Sequence, residues 1–137
     1  MKGFVLDTSV AIAVYLPESF SSAARGYWDR IAATGARCVV PALHFWEFGN
    51  VLRTRVRRGA LSEASALEIY DLHLDAQLEI VKPDPREVLG VALEFDATVY
   101  DAVYISLVLG SDLTLLTAES AKQPWVTKLG DRVVAIQ

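Results

Sequence analysis

The chain has 137 residues, of which 53% are hydrophobic and 22% charged, with a formal net charge of -4. That length favours one domain, expected over residues 1–137, and the composition excludes a disordered polymer. The acidic balance excludes bulk attraction to nucleic acid, so such a partner would need a local basic patch.

Residues 3–6 read as a short buried strand. The apolar start resembles a signal segment, but Asp7 splits it, so a strand turning into a helix is expected instead. Asp7-Thr8-Ser9 supplies helix-starting side chains before a helix over 10–16. A second helix is predicted over 18–33, with Phe20, Ala23, Ala24, Tyr27 and Ile31 at helical spacing and Gly35 past its end. A strand follows over 37–40, then a helix from Pro41 to about Arg57, stopped by Gly59. Ser62 opens a helix whose apolar positions are Leu67, Tyr70, Leu72 and Leu74, and residues 79–81 form a short strand. Asp84 and Pro85 start a helix that runs to about Phe95, and another spans 98–109. Residues 113–116 and 133–136 are the last strands, with a short turn or helix over 117–122. Strands alternating with helices predict an α/β fold with a parallel sheet covered on both faces. No uncharged apolar run approaches the ~18 residues of a membrane span, so a soluble cytoplasmic protein is expected. The lone cysteine, Cys38, excludes an intramolecular disulfide and reads as a small buried hydrophobe, and no Cys/His cluster has zinc spacing.

Four acids, Asp7, Glu47, Asp101 and Glu119, stand in apolar surroundings far apart in sequence. No Lys or Arg lies in the apolar runs around Asp7, Asp101 or Glu119. An unpartnered buried carboxylate is costly, and four converging ones would repel unless a divalent cation sat among them. An oxygen-ligand metal site is therefore the sharpest expectation. Asp7 and Glu119 lie just past predicted strands, where open parallel sheets place their ligands. Each acid also has a plainer reading. Asp7 could be only a helix N-cap, Glu47 an exposed helix position, Asp101 the partner of Thr98 in a capping box, and Glu119 a surface turn residue.

Arg53, Arg55, Arg57 and Arg58 crowd the end of the helix that carries Glu47. They complement the helix dipole, yet exceed what that needs and suit phosphate contacts. His44 reads as a partly buried polar group and His73 as a surface residue. Trp28, Trp46 and Trp125 read as core or interface residues before base-stacking ones.

Four segments carry a resemblance: Leu6-Asp7-Thr8-Ser9, Pro41 through Glu47 to Leu52, Tyr100-Asp101 to Leu107, and Leu115 to Glu119. In this order they resemble the PIN-domain proteins, above all the VapC-type toxin ribonucleases of toxin–antitoxin pairs. The resemblance implies a three-layer α/β/α sandwich with a mainly parallel central sheet. It also implies an endoribonuclease dependent on Mg²⁺ or Mn²⁺, a homodimer, and a small antitoxin whose tail fills the active-site groove. Asp7, Glu47 and Asp101 match the family's metal-binding acids, while Glu119 stands where the family more often has Asp. Thr8 or Ser9 matches a hydroxyl near the site, and Asn50 is a candidate to support the metal-binding residues. The face near Trp46 and Phe48 is a candidate docking surface, with core packing as the default for both. A bound divalent ion would activate water and neutralise phosphate charge. Asp7 and Asp101 would ligate it directly, and Glu47 or Glu119 would hold its waters or accept a proton. Two rivals stay open: an inactive PIN-like binding module, favoured by Glu119, and a metal phosphatase, disfavoured by the absence of Asp-x-Asp after the first strand.

Overall fold

The computed structural model describes residues 3–136, so residues 1, 2 and 137 of the expected unit lie outside the described residues. Strand β1 (Gly3–Leu6) is buried at every position. Its side chains alternate between two apolar clusters, Phe4 and Leu6 on one face and Val5 on the other. Strand β2 (Arg37–Val40) divides Cys38 and Val40 from Val39 in the same way, and β4 (Thr114–Thr117) divides Leu116 from Leu115. Two covered faces explain why these strands read as unbroken apolar runs. Gly3 begins β1 at φ +145°, where an added Cβ would lie 2.7 Å from the Arg37 carbonyl oxygen. A side chain there would push β2 away.

With β3 (Glu79–Ile80) and β5 (Val133–Ala135), the strands form one sheet in the order β3-β2-β1-β4-β5, and every pair is parallel. Helices α1 (Thr8–Tyr15), α2 (Ser21–Thr34), α3 (Leu43–Arg57) and α4 (Glu63–Leu74) cover the face that receives Phe4 and Leu6. Helices α6 (Val99–Leu109) and α7 (Pro124–Leu129) cover the opposite face, with α5 (Pro85–Phe95) packed beside them. The expected three-layer α/β/α sandwich is what forms. The chain steps outward from β1 to β3, then returns to place β4 against β1's other edge. The switch in strand order therefore lies between β1 and β4, where such sheets open a ligand crevice.

Local expectations hold where capping chemistry is explicit. Ser62, Asp84 and Thr98 each cap a helix through the side chain, and Gly35 takes the left-handed conformation after α2. Helix α2 starts at Ser21 rather than residue 18, because Ser21 Oγ accepts from the Glu18 N–H and donates to the Leu16 carbonyl, which fixes a turn there. Helix α4 corrects the expected apolar face: Leu67 is 67% exposed, Leu72 and Leu74 also face out, and His73 is the buried residue. Ala66, Ile69 and Tyr70 pack inward beside it. Helix α7 was not expected; Gln123 stands at its N-cap and Pro124 in its first turn. Cys38 is buried as expected, and burial pushes its thiol up to about 12. Among the described residues no helix is long and apolar enough to cross a membrane.

Candidate active site

Asp7 leaves the carboxyl end of β1 and occupies the N-cap position of α1, yet its side chain makes no capping bond. Its Oδ2 instead accepts from Thr117 Oγ1 at 2.7 Å and from Ser9 Oγ at 3.1 Å. The plain capping role therefore fails for this side chain. Thr117 ends β4, and its Oγ1 also accepts the Glu119 N–H at 3.1 Å. Ser9 Oγ accepts the Ala118 N–H at 3.1 Å. The loop after β4 is thus tied to the start of α1 across the strand-order switch.

Glu47 projects from α3 and is partly buried. Its Oε1 accepts from Thr8 Oγ1 at 3.0 Å and from Tyr104 Oη at 2.6 Å. Thr8 is buried in the first turn of α1, and Tyr104 is buried on α6, so three helices meet at this carboxylate. Asp101 lies in the first turn of α6, where its N–H donates to Thr98 Oγ1 at 3.0 Å. The Thr98 half of the expected capping box is present, and the carboxyl still belongs to the acidic group.

Electrostatics link the four acids. Burial pushes Asp7 up to about 6, against the Thr117 hydrogen bond, and the charges of Asp101 and Glu47 raise it further. Asp101 is raised mainly by burial, with Thr98 and Trp125 opposing. The Trp125 indole N–H is close enough to ease ionisation of Asp101, but it is buried and makes no hydrogen bond of normal geometry. Glu119 is raised by burial and then by Asp101. Repulsion thus runs from Glu47 to Asp7, Asp101 and Glu119, and no cation is among the groups acting on Asp7, Asp101 or Glu119 among the described residues.

Such a donor set is all oxygen and net negative, which suits a hard divalent cation such as Mg²⁺ or Mn²⁺. Among the described residues, no three Asp, Glu, His or Cys side chains are drawn together tightly enough to ligate one ion as they stand. The residues fit the ion in chemistry and charge.

The other candidates divide. Thr8 and Ser9 are joined to the acids, each to a different one. Asn50 is exposed, and its backbone carbonyl accepts from Thr54 Oγ1. Arg55 is held in an ion pair with Glu18, which takes its guanidinium out of the expected basic patch. Arg53, Arg57 and Arg58 lie along the same end of α3, with Arg53, Arg57 and Arg58 all exposed. Trp46 is 70% exposed, whereas Phe48 is fully buried against α4, so the expected docking surface keeps only Trp46. Trp125 is core, as expected.

A PIN domain family model matches residues 4–121. The chain belongs to the PIN domain family. It is 28% identical over 129 residues to the ribonuclease VapC3 of Pyrobaculum aerophilum, covering 87% of this chain and 92% of that one. The fold is similar to that of the Pyrobaculum aerophilum protein PAE2754, with a TM-score of 0.75 at 23% identity, covering 96% of this chain and 83% of that one. It also resembles a chain in a toxin–antitoxin complex from Klebsiella pneumoniae, with a TM-score of 0.58 at 13% identity and 97% of each chain covered.

In this PIN domain the hydroxyls that orient the acids were the least legible from sequence. Thr117 and Tyr104 read as ordinary strand and helix residues, although Thr117 ends a strand at the ligand-bearing edge of the sheet. The histidines correct the sequence reading more strongly. His44 and His73 are both 0% exposed, and their Nε2 atoms are 2.8 Å apart. Burial lowers His44 to about 3, helped by His73, and lowers His73 to about 4, so both rings are neutral at ordinary pH.

Proposed function

We propose that this PIN domain, expected over residues 1–137, is a divalent-metal-dependent endoribonuclease, the toxin of a toxin–antitoxin pair. The observation that carries it is the electrostatic meeting of Asp7, Glu47 and Asp101 beside the β1–β4 switch, with no cation acting on Asp7 among the described residues. The relationship to the VapC3 ribonuclease supports the reaction, and the fold shared with a toxin–antitoxin component supports the role.

Mg²⁺ or Mn²⁺ bound among the acids supplies Lewis acidity to a phosphodiester and to water. Asp7 and Asp101 would hold the ion directly. Thr117 and Ser9 fix Asp7 by holding Oδ2. Thr8 and Tyr104 fix Glu47 through Oε1 and keep it available to hold water or accept its proton. Glu119, coupled to Asp101, would hold metal-bound water. Arg53, Arg57 and Arg58 contact the RNA backbone. The chain pairs as a homodimer through the exposed apolar residues Leu89, Leu93, Val99 and Tyr100 of α5 and α6, and a cytoplasmic antitoxin covers the acidic crevice.

The decisive experiment incubates labelled RNA with purified protein in Mg²⁺ or Mn²⁺, in chelator, and with Asp7→Asn. Cleavage should require metal and Asp7. Cleavage that persists in chelator refutes the mechanism. RNA binding without cleavage in every metal establishes the second reading, a binding module, which the loose spacing of the acids favours.

A further inference from the structure

Glu47 Oε1 is the end of a longer polar chain that runs through an otherwise apolar cluster. Tyr15 Oη lies 3.0 Å from His73 Nδ1, and His73 Nε2 lies 2.8 Å from His44 Nε2. His44 Nδ1 lies 3.4 Å from both Thr8 Oγ1 and Tyr104 Oη, the two hydroxyls that reach Glu47. Phe48 stacks on His73 with ring centroids 4.3 Å apart, so the ring has little freedom to turn.

Two neutral imidazoles facing each other through Nε2 share one proton, so their tautomers must be opposite. The Leu6 carbonyl favours a proton on His44. With Nε2 turned to His73, that proton belongs on Nδ1. His44 Nε2 then accepts from His73 Nε2–H, and His73 Nδ1 accepts from the Tyr15 hydroxyl. His44 Nδ1–H also faces the oxygens of Thr8 and Tyr104, so neither hydroxyl proton is drawn to His44; both stay with Glu47 and the 2.8 Å contact between the two hydroxyls. The reverse tautomers would make His44 Nδ1 an acceptor and draw one hydroxyl proton away from the carboxylate. Buried polar chains of this kind are costly unless every member is satisfied. Both arrangements give each member a partner, but only the first also gives the Leu6 carbonyl a proton from His44 and leaves Glu47 both hydroxyls as donors.

We infer that Tyr15, His73 and His44 are positioning residues for Glu47: a one-way hydrogen-bond chain fixes the His44 proton on Nδ1 and so directs the Thr8 and Tyr104 hydroxyls onto Oε1. This rests on Glu47 serving a bound divalent ion, as proposed above. Groups that hold a metal-supporting side chain in place change metal affinity by about 10–100-fold when removed.

The test reads the chain separately from activity. Long-range proton–nitrogen NMR on metal-free protein should show His44 protonated at Nδ1 and His73 at Nε2. Mn²⁺ affinity is then measured for wild type, Tyr15→Phe, His73→Leu and His73→Gln. His73→Leu should mix the His44 tautomers and weaken Mn²⁺ binding by about tenfold. Gln offers an N–H to His44 and a carbonyl to Tyr15, so His73→Gln should restore both. A role in packing alone predicts a Leu variant that binds Mn²⁺ as well as wild type, and that result overturns the inference. Wild-type His44 protonated at Nε2 also overturns it, even if Mn²⁺ binds and RNA is cut. Tyr15→Phe keeps the core volume and should weaken Mn²⁺ binding in the same direction; unchanged affinity there excludes Tyr15 from the chain. Wild-type protein that binds no Mn²⁺ overturns the metal reading and, with it, the purpose of the chain.

Discussion

Thr117 Oγ1 donates to Asp7 Oδ2 at 2.7 Å across a separation of 110 residues. This bond joins the carboxyl ends of β4 and β1, the two strands between which the sheet order reverses. It opposes burial and repulsion, which together still leave Asp7 raised to about 6. Thr117→Val replaces the hydroxyl with a methyl of similar size and leaves the Glu119 N–H without its acceptor. Asp7 should then titrate higher in metal-free protein, read by carboxyl-carbon NMR. RNA cleavage should fall by about tenfold, as for other groups that support a metal ligand. An unmoved Asp7 titration would show that the bond does not hold the charge.

Asp7→Asn should separate stability from function. In the unfolded chain Asp7 ionises near 3.8, whereas in the fold it holds its proton to about 6. Between those values the native state binds more protons than the unfolded state, so metal-free stability falls as pH rises through that window. The full difference is on the order of 2–3 kcal/mol at neutral pH, taken as an upper figure because Asp7 keeps some contact with solvent. Asn carries no charge to desolvate, so denaturant melts at pH 7.5 should find the metal-free variant more stable than wild type. At pH 3.5 the two should converge. Cleavage should drop by more than about 100-fold, beyond the usual cost of removing a group that merely supports a ligand.

Metal should reverse that stability order. Adding Mn²⁺ at about 100 times its Kd stabilises the native state by about 2.7 kcal/mol if the unfolded chain does not bind it. Wild type should gain this in thermal melts and lose it in chelator, and Asp101→Asn should gain much less. Glu119→Gln should lose less than either aspartate variant, because Glu119 is coupled only to Asp101 among the acids acting on it. An equal loss at Glu119 would place it among the direct ligands.

Arg53, Arg57 and Arg58 should be distinguishable from Arg55. Alanine at the first three should weaken RNA binding and flatten its salt dependence, by about 0.7 in the logarithmic slope for each phosphate of a single strand that is no longer neutralised. Arg55→Ala should leave that slope unchanged, because its guanidinium pairs with Glu18. Filter binding across a salt series reads both.

Leu93 is 76% exposed on α5, one turn from the exposed Leu89. Sedimentation equilibrium should find wild type dimeric and Leu93→Arg monomeric, with little change in the melting of each subunit. Wild type that is monomeric at every concentration removes the dimer.

The fold was legible where burial is two-sided or a cap is explicit. Val5, Val39 and Leu115 sit in runs too apolar for one face alone, and Thr98 announces α6. The carboxylates were legible because a charge within an apolar run needs a reason. Their neutral partners were not. A hydroxyl such as Thr117 or Tyr104 fits strand or helix without conflict, and its role depends on a residue far away in sequence. His73 was misplaced because Asp71 and Asp75 on either side suggested a solvated face, whereas the ring is fully buried. Its actual surroundings are rings from α1, α2 and α3, namely Tyr15, Trp28, Phe45 and Phe48, and no local pattern in α4 reveals them.

The placement of β4 beside β1 also bears on synthesis. While the ribosome is still making the middle of the chain, Asp7 has no hydroxyl from Thr117 to hold it, and the sheet lacks the edge against which the crevice forms. A polypeptide released before Thr117 carries three of the four acids but no assembled centre. Under the toxin role proposed above, a cell would thereby be shielded from incomplete translation products, because harm would require nearly the whole message to be read.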